Sequence, residues 1–180
     1  MEINEEKISN RIGALGKKYL PILFTCAIFL KFLSHQYYIP GSGFFLVITS
    51  LPMSFFYLIC GYFLFIPKVK KEIDEYGFVH NKRSNPFPPI FMGFSLSMFI
   101  IGATYVMMRW PGGRFFLDFS SILMAISAII TFSQFIKNKS SKYKSNLLLI
   151  LFFVVLMCAL YAYLYSPLWH VKDMGYPQYS

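Results

Sequence analysis

Long apolar runs separated by short polar punctuation set the pattern of this chain. Five runs can be read, from about Tyr19 to Tyr37, Phe44 to Ile66, Pro89 to Met108, Phe115 to Ile136 and Leu147 to Tyr165. A stretch of about 20 predominantly apolar residues crosses a bilayer as a helix. The pattern therefore predicts an all-α membrane protein of about five transmembrane helices. Two of the connections are tight turns: Ile39-Pro40-Gly41-Ser42-Gly43 joins the first pair of runs, and Arg109-Trp110-Pro111-Gly112-Gly113-Arg114 joins the second. Proline cannot continue a helix and glycine accepts backbone angles that other residues resist. Each pair reads as a helical hairpin. Trp110 and the two arginines mark where hydrocarbon gives way to headgroups and water.

This pattern divides the chain into a cytoplasmic N-terminal segment at 1–18, a hairpin at 19–66, a loop at 67–88 and a second hairpin at 89–136. A linker at 137–145, a fifth transmembrane helix at 146–166 and an external tail at 167–180 complete it. Pro52 falls inside the second run, where it frees a carbonyl and favours a kink. In the 67–88 loop, Lys71 and Glu75 are four apart and predict a short helix before Gly77. The two hairpins resemble each other. Each has a basic residue before the turn, then Pro-Gly and a Phe-Phe-Leu return (Phe44-Phe45-Leu46 and Phe115-Phe116-Leu117). Both run in-out-in, so as repeats they would be parallel about an axis near the membrane normal.

Composition supports the bilayer reading. The chain is 56% hydrophobic and 20% aromatic with only 14% charged residues, where soluble domains carry roughly 25% charged. The formal charge of +9 invites a nucleic-acid partner, but its placement excludes that reading. Thirteen of the 17 Lys and Arg lie in the N-terminal segment, the 67–88 loop and the 137–145 linker, which alternate with the two Pro-Gly turns. Such alternation follows the positive-inside rule. It predicts a cytoplasmic N-terminus in a bacterial inner membrane, with an uncleaved first span. Cys26, Cys60 and Cys158 sit apart inside apolar runs and read as small buried hydrophobes.

Charges within spans are costly and are the first places to look for function. Lys31 lies a turn from the end of the first span, as an ion partner or as a lysine snorkelling to the headgroups. His35 is four residues on and titrates near neutral pH when unperturbed. Asp118 is the one acid inside a predicted span, four residues after Arg114. The candidate charge pairing thus involves Lys31, Arg109, Arg114 and Asp118. Arg114 is the local partner for Asp118, and Lys31 is one that would tie the two hairpins together. Ser121, Ala125 and Ala128, with Ser120 and Ser127 nearby, provide small positions for close helix approach. The sequence offers no catalytic, cofactor-binding or metal-ligating constellation: no HExxH-type motif, no paired carboxylates and no Gly-rich phosphate loop.

The stretch from Gly102 to Gly113, ending Met107-Met108-Arg109-Trp110-Pro111-Gly112-Gly113, resembles the Lys-x-x-His-Trp-Pro-Gly turn of the GldL gliding-motility motor family of Bacteroidota. Lys31 with His35 and Pro40-Gly41 is similar in a looser way. The resemblance implies a helical hairpin of the kind found in a proton-driven stator. That family's second helix carries an intramembrane glutamate about a dozen residues after the Pro-Gly, where this chain has Met53 and Met124. What carries over is therefore the hairpin and not proton transfer.

Together these readings favour a non-enzymatic multi-pass protein, a structural or interaction subunit that packs against other membrane subunits or copies of itself. The alternative is a small transporter or ion-conducting subunit using Lys31, His35 and Asp118. An enzyme acting on lipid or quinone within the bilayer ranks third.

Overall fold

A computed structural model describes residues 13, 15–37, 39–65, 70–73, 79–82, 86–138 and 141–165. Five α-helices make an all-α membrane bundle. They are α1 (Leu20–Gln36), α2 (Ser42–Phe65), α3 (Phe87–Met107), α4 (Gly113–Asn138) and α5 (Ser141–Leu164). Helices α2 to α5 are each long and apolar enough to cross a membrane. Helix α1 has 17 residues and continues directly from a π-helical turn, Leu15–Tyr19.

The bundle is organised around α3. Of its span, 67% is buried inside the protein, against 28% for each of α2, α4 and α5. Small residues bring this about. A Cβ built on Gly93 would lie 2.5 Å from the Tyr57 carbonyl oxygen and 2.7 Å from Gly61 Cα, so the α2 and α3 backbones touch. On its other side, a Cβ on Gly102 would lie 3.0 Å from the Phe116 carbonyl of α4. Hydroxyls join the same two seams. The Ser54 and Ser97 hydroxyls are 2.7 Å apart between α2 and α3, and Ser127 donates to Ser95 at 2.7 Å between α4 and α3. In lipid, where apolar surface gains little from leaving one apolar medium for another, such close contacts and interhelical hydrogen bonds hold helices together. Helix α5 completes the packing by setting Phe153 edge-on against Tyr57 of α2 and Phe99 of α3.

The structure selects among the small positions expected on α4. Ser120, Met124, Ser127 and Thr131, with Leu117, are buried, whereas Ala125 is exposed and Ser121 and Ala128 are only partly covered. The buried set repeats at helical spacing and meets α3. The small residues one position away point elsewhere because a single step rotates a helix by about 100°. The 67–88 loop also differs from expectation. Lys70–Ile73 pairs antiparallel with Val79–Lys82, with Ile73 opposite Val79, so Lys71 lies in strand β1 (Lys70–Ile73) facing β2 (Val79–Lys82) instead of in a helix. One i,i+4 pair stabilises a helix by only about 0.2–0.5 kcal/mol, and β-branched residues at paired positions favour the ribbon. Glu75 and Gly77 lie outside the described residues, as do 1–12 and the tail beyond 165. The linker at 137–145 is shorter than its polarity suggested, since α4 continues to Asn138 and α5 begins at Ser141.

Both Pro-Gly turns lie at one end of the bundle: a Cβ on Gly43, at the start of α2, would meet Met108 Sδ at 3.1 Å. The opposite end is tied by a second group of contacts. Lys17 Nζ donates to Asn146 Oδ1 at 2.5 Å, Asn146 Nδ2 donates to the Phe65 carbonyl at 3.5 Å, and the Tyr57 hydroxyl donates to the Gly16 carbonyl at 2.5 Å. These join the π turn, the end of α2 and the start of α5.

The α2–α3 crossing makes a direct prediction. Gly93→Ala places a methyl against backbone atoms that cannot rotate away, so the helices must separate. Overpacking of this kind typically costs about 1–3 kcal/mol. Thermal unfolding in mild detergent should show a lowered melting temperature for Gly93→Ala, while Ala159→Leu on the exposed face of α5 changes little. An unchanged Gly93→Ala melting temperature would show that the two backbones do not meet there.

Candidate functional site

The two turns are built alike. Each connection has five residues, 37–41 and 108–112. In each, glycine follows proline with a left-handed backbone, φ +79° at Gly41 and +80° at Gly112. In each, the fourth residue on donates back to that glycine: Phe45 N–H to the Gly41 carbonyl at 2.9 Å, and Phe116 N–H to the Gly112 carbonyl at 3.1 Å. In the second turn Gly113 N–H donates to the Trp110 carbonyl at 3.2 Å, closing a tight turn with Pro111 and Gly112 at its centre. Proline presets the first central φ of such a turn and glycine supplies the positive φ of the second.

The turns differ in how the preceding helix ends. After α3, Trp110 N–H donates to the Tyr105 carbonyl at 2.9 Å and Arg109 N–H to the Val106 carbonyl at 3.0 Å. This is a Schellman cap, and its left-handed position belongs to Arg109, the only described non-glycine residue with positive φ, at +55°. Glycine usually fills that position. A side chain there costs roughly 1–2 kcal/mol. Such an outlier in a turn points to a task for the side chain itself.

Arg109 is one of the residues lining a cavity of about 350 Å³, with Val106, Trp110, Gly112, Gly113, Arg114 and Leu164. Two of the candidate residues, Arg109 and Arg114, are therefore brought together across the turn. Val106 and Leu164 supply an apolar wall. Arg114 sits in the first turn of α4, which contains no acid. Trp110 is held by edge-on contact with Tyr105. Arg109 also lies within electrostatic reach of Tyr163 on α5, whose ring meets Phe32 of α1 edge-on at 5.0 Å.

Asp118 is exposed, and its Oδ1 accepts a 2.5 Å hydrogen bond from the Tyr161 hydroxyl. The carboxylate thus ties α4 to α5. A tyrosine near the end of a span ordinarily sits at the membrane interface, and nothing local marks Tyr161 as the donor, because the contact joins residues 43 positions apart. Tyr161 stacks on Tyr165, and Ser121 donates to the Asp118 backbone carbonyl at 2.7 Å. Lys31 lies at the other hairpin, where its Nζ would be 3.7 Å from a Cβ on Gly43. His35 occupies the next turn of α1. Among the described residues no group of three His, Cys, Asp or Glu side chains is placed to hold a metal ion.

The cap geometry gives a test. Arg109→Gly should raise the melting temperature in detergent by relieving about 1 kcal/mol of backbone strain, whereas Arg109→Ala keeps the strain and should not. Equal behaviour of the two variants would argue against the left-handed assignment. Compared with protein families, curated proteins and solved structures, the chain matches none.

Proposed function

We propose that this multi-pass membrane protein is a non-enzymatic interaction subunit of a membrane assembly. The observation that carries the reading is the exposed carboxylate of Asp118, six residues into a membrane-crossing helix. Charge facing lipid is unfavourable and is retained where it meets a partner. Asp118 is fixed in place by Tyr161, and it heads a stripe of exposed residues on α4 that includes Ile122, Ala125 and Ile129. Small Ala125 lets a neighbouring helix approach closely, and Asp118 offers that helix an acceptor. The occupant is a transmembrane helix of another subunit carrying a hydrogen-bond donor level with Asp118.

The interior supports assembly over transport. The described buried polar residues are serines, threonines and one asparagine, and no buried side-chain nitrogen or oxygen among the described residues lacks a hydrogen-bond partner. Hydroxyls bonded to each other or to helix carbonyls make seams, and they offer no titrating relay. Met53 and Met124, which stand where the GldL-like hairpin would carry its acid, are buried packing residues. The proposed setting is a bacterial inner membrane with the N-terminus cytoplasmic and the turns outside, on the strength of the Lys and Arg placement.

A photo-crosslinking residue at Ala125 should capture a neighbouring chain in native membranes, and Asp118→Asn should reduce that product severalfold without altering the yield of folded protein. Loss of folded protein instead would assign Asp118 to internal stability through Tyr161. Absence of any crosslink at Ala125 would remove this face as an interface. Orientation is tested in a cysteine-free background. An impermeant thiol reagent applied outside should label Pro40→Cys and Pro111→Cys but not Ser145→Cys, all at exposed positions. Labelling of Ser145→Cys alone would invert the topology.

A further inference from the structure

We propose that the cavity at the second turn is a binding site for a phosphate-bearing anion, with Arg109 and Arg114 as its two cationic contacts. Three observations converge on it. The first is the cavity itself, about 350 Å³ with both arginines in its lining. Its size suits a small polar group, since liquid water occupies about 30 Å³ per molecule. The second is the backbone at Arg109. A guanidinium is kept at a left-handed cap position with φ +55°, where glycine would fit without strain. The third is where the charges sit. Thirteen of the 17 Lys and Arg lie in the three segments that alternate with the turns, so these two arginines stand at the end of the bundle from which positive charge is generally excluded.

Planar guanidiniums recognise phosphate oxygens with paired, charge-assisted hydrogen bonds. The first turn of α4 adds the positive end of a helix dipole to the same lining. Val106 and Leu164 form the apolar wall, which suits the glycerol and upper acyl carbons of a phospholipid. Trp110 is at the rim, 41% exposed. The shared chemistry is phosphate, supplied either by an anionic lipid headgroup or by a free phosphate ion. The site is independent of the α4 face assigned to a partner helix.

The full chain, purified in mild detergent and stripped of lipid, should be titrated separately with phosphatidylglycerol, phosphatidylcholine and inorganic phosphate. Bound species are counted by native mass spectrometry and stability is followed by thermal unfolding. Retention of one phosphatidylglycerol with a raised melting temperature, and no response to inorganic phosphate, assigns the headgroup. A response to inorganic phosphate as well assigns a free-anion site. In either case Arg109→Gly combined with Arg114→Gln should weaken binding about tenfold or more, as expected for loss of charge-assisted contacts. Arg109→Gly alone should weaken binding while leaving the fold at least as stable, which separates a binding role from a structural one. Equal retention of phosphatidylglycerol by the double variant, equal affinity for phosphatidylcholine, or no response to any of the three would overturn the proposal.

Discussion

The rest of the bundle depends on the backbone of α3 lying in contact with its neighbours on two sides. Gly93 meets Gly61 of α2, and Gly102 meets the first turns of α4 at Phe116 and Leu117. Hydrocarbon solvent removes most of the drive that water gives to apolar association, so dispersion at short range and hydrogen bonds between helices must hold the bundle. Side chains at Gly93 or Gly102 would push both sources out of range. Ser95 and Ser97, two residues apart and so on nearly opposite faces of α3, then act only because the glycines have set the spacing. One reaches Ser127 and the other Ser54.

This constraint reaches the ends of the helices. With α3 fixed between α2 and α4, the two Pro-Gly turns are brought to one end, where Met108 lies over Gly43. Helix α5 crosses the bundle, with Phe153 against α2 and α3, Tyr161 against Asp118 of α4, and Tyr163 against Phe32 of α1. Its C-terminal turn thereby supplies Leu164 to the cavity at the second turn. At the other end Asn146 accepts from Lys17 and donates to Phe65. Among the described residues, hydroxyls thus fill the seams, and the charged side chains lie toward the helix ends.

Much of this was legible in the residues, and the division follows from the range of the forces involved. The hairpin turns could be read because Pro40-Gly41 and Pro111-Gly112 fix their own backbone angles whatever surrounds them. Helix boundaries followed from the apolar runs, with α2 beginning at Ser42 where Phe44 was expected and α3 at Phe87 where Pro89 was expected. The centrality of α3 was not legible, because hydropathy cannot separate an apolar residue facing lipid from one facing protein. On α4 the small positions are Ser121, Ala125 and Ala128, with Ser120 and Ser127 nearby, and of these Ser120 and Ser127 are the buried ones, beside Met124. Both sets are small enough to pack, and only the position of α3 decides between them. Tyr161 escaped for a related reason. A tyrosine near the end of a span is expected at the interface regardless, so its bond to Asp118 adds nothing that local sequence would reveal.

Arg109 shows where a local rule fails and why that is informative. Every other described residue with positive φ is glycine, so the chain uses glycine where the backbone asks for it. A Schellman cap at the end of α3 asks for it as strongly as the turns do. The charge at this position also runs against the general bias of basic residues toward the opposite connections. Two independent preferences, one of backbone geometry and one of topology, therefore disfavour the same residue. The cap itself is made by the backbone N–H groups of Arg109 and Trp110, so its hydrogen bonds would form with glycine there as well. Arg109 also lines a cavity that it shares with Arg114. The fold accounts for where that cavity lies, through the turn and through Leu164, and the sequence places two arginines on its lining.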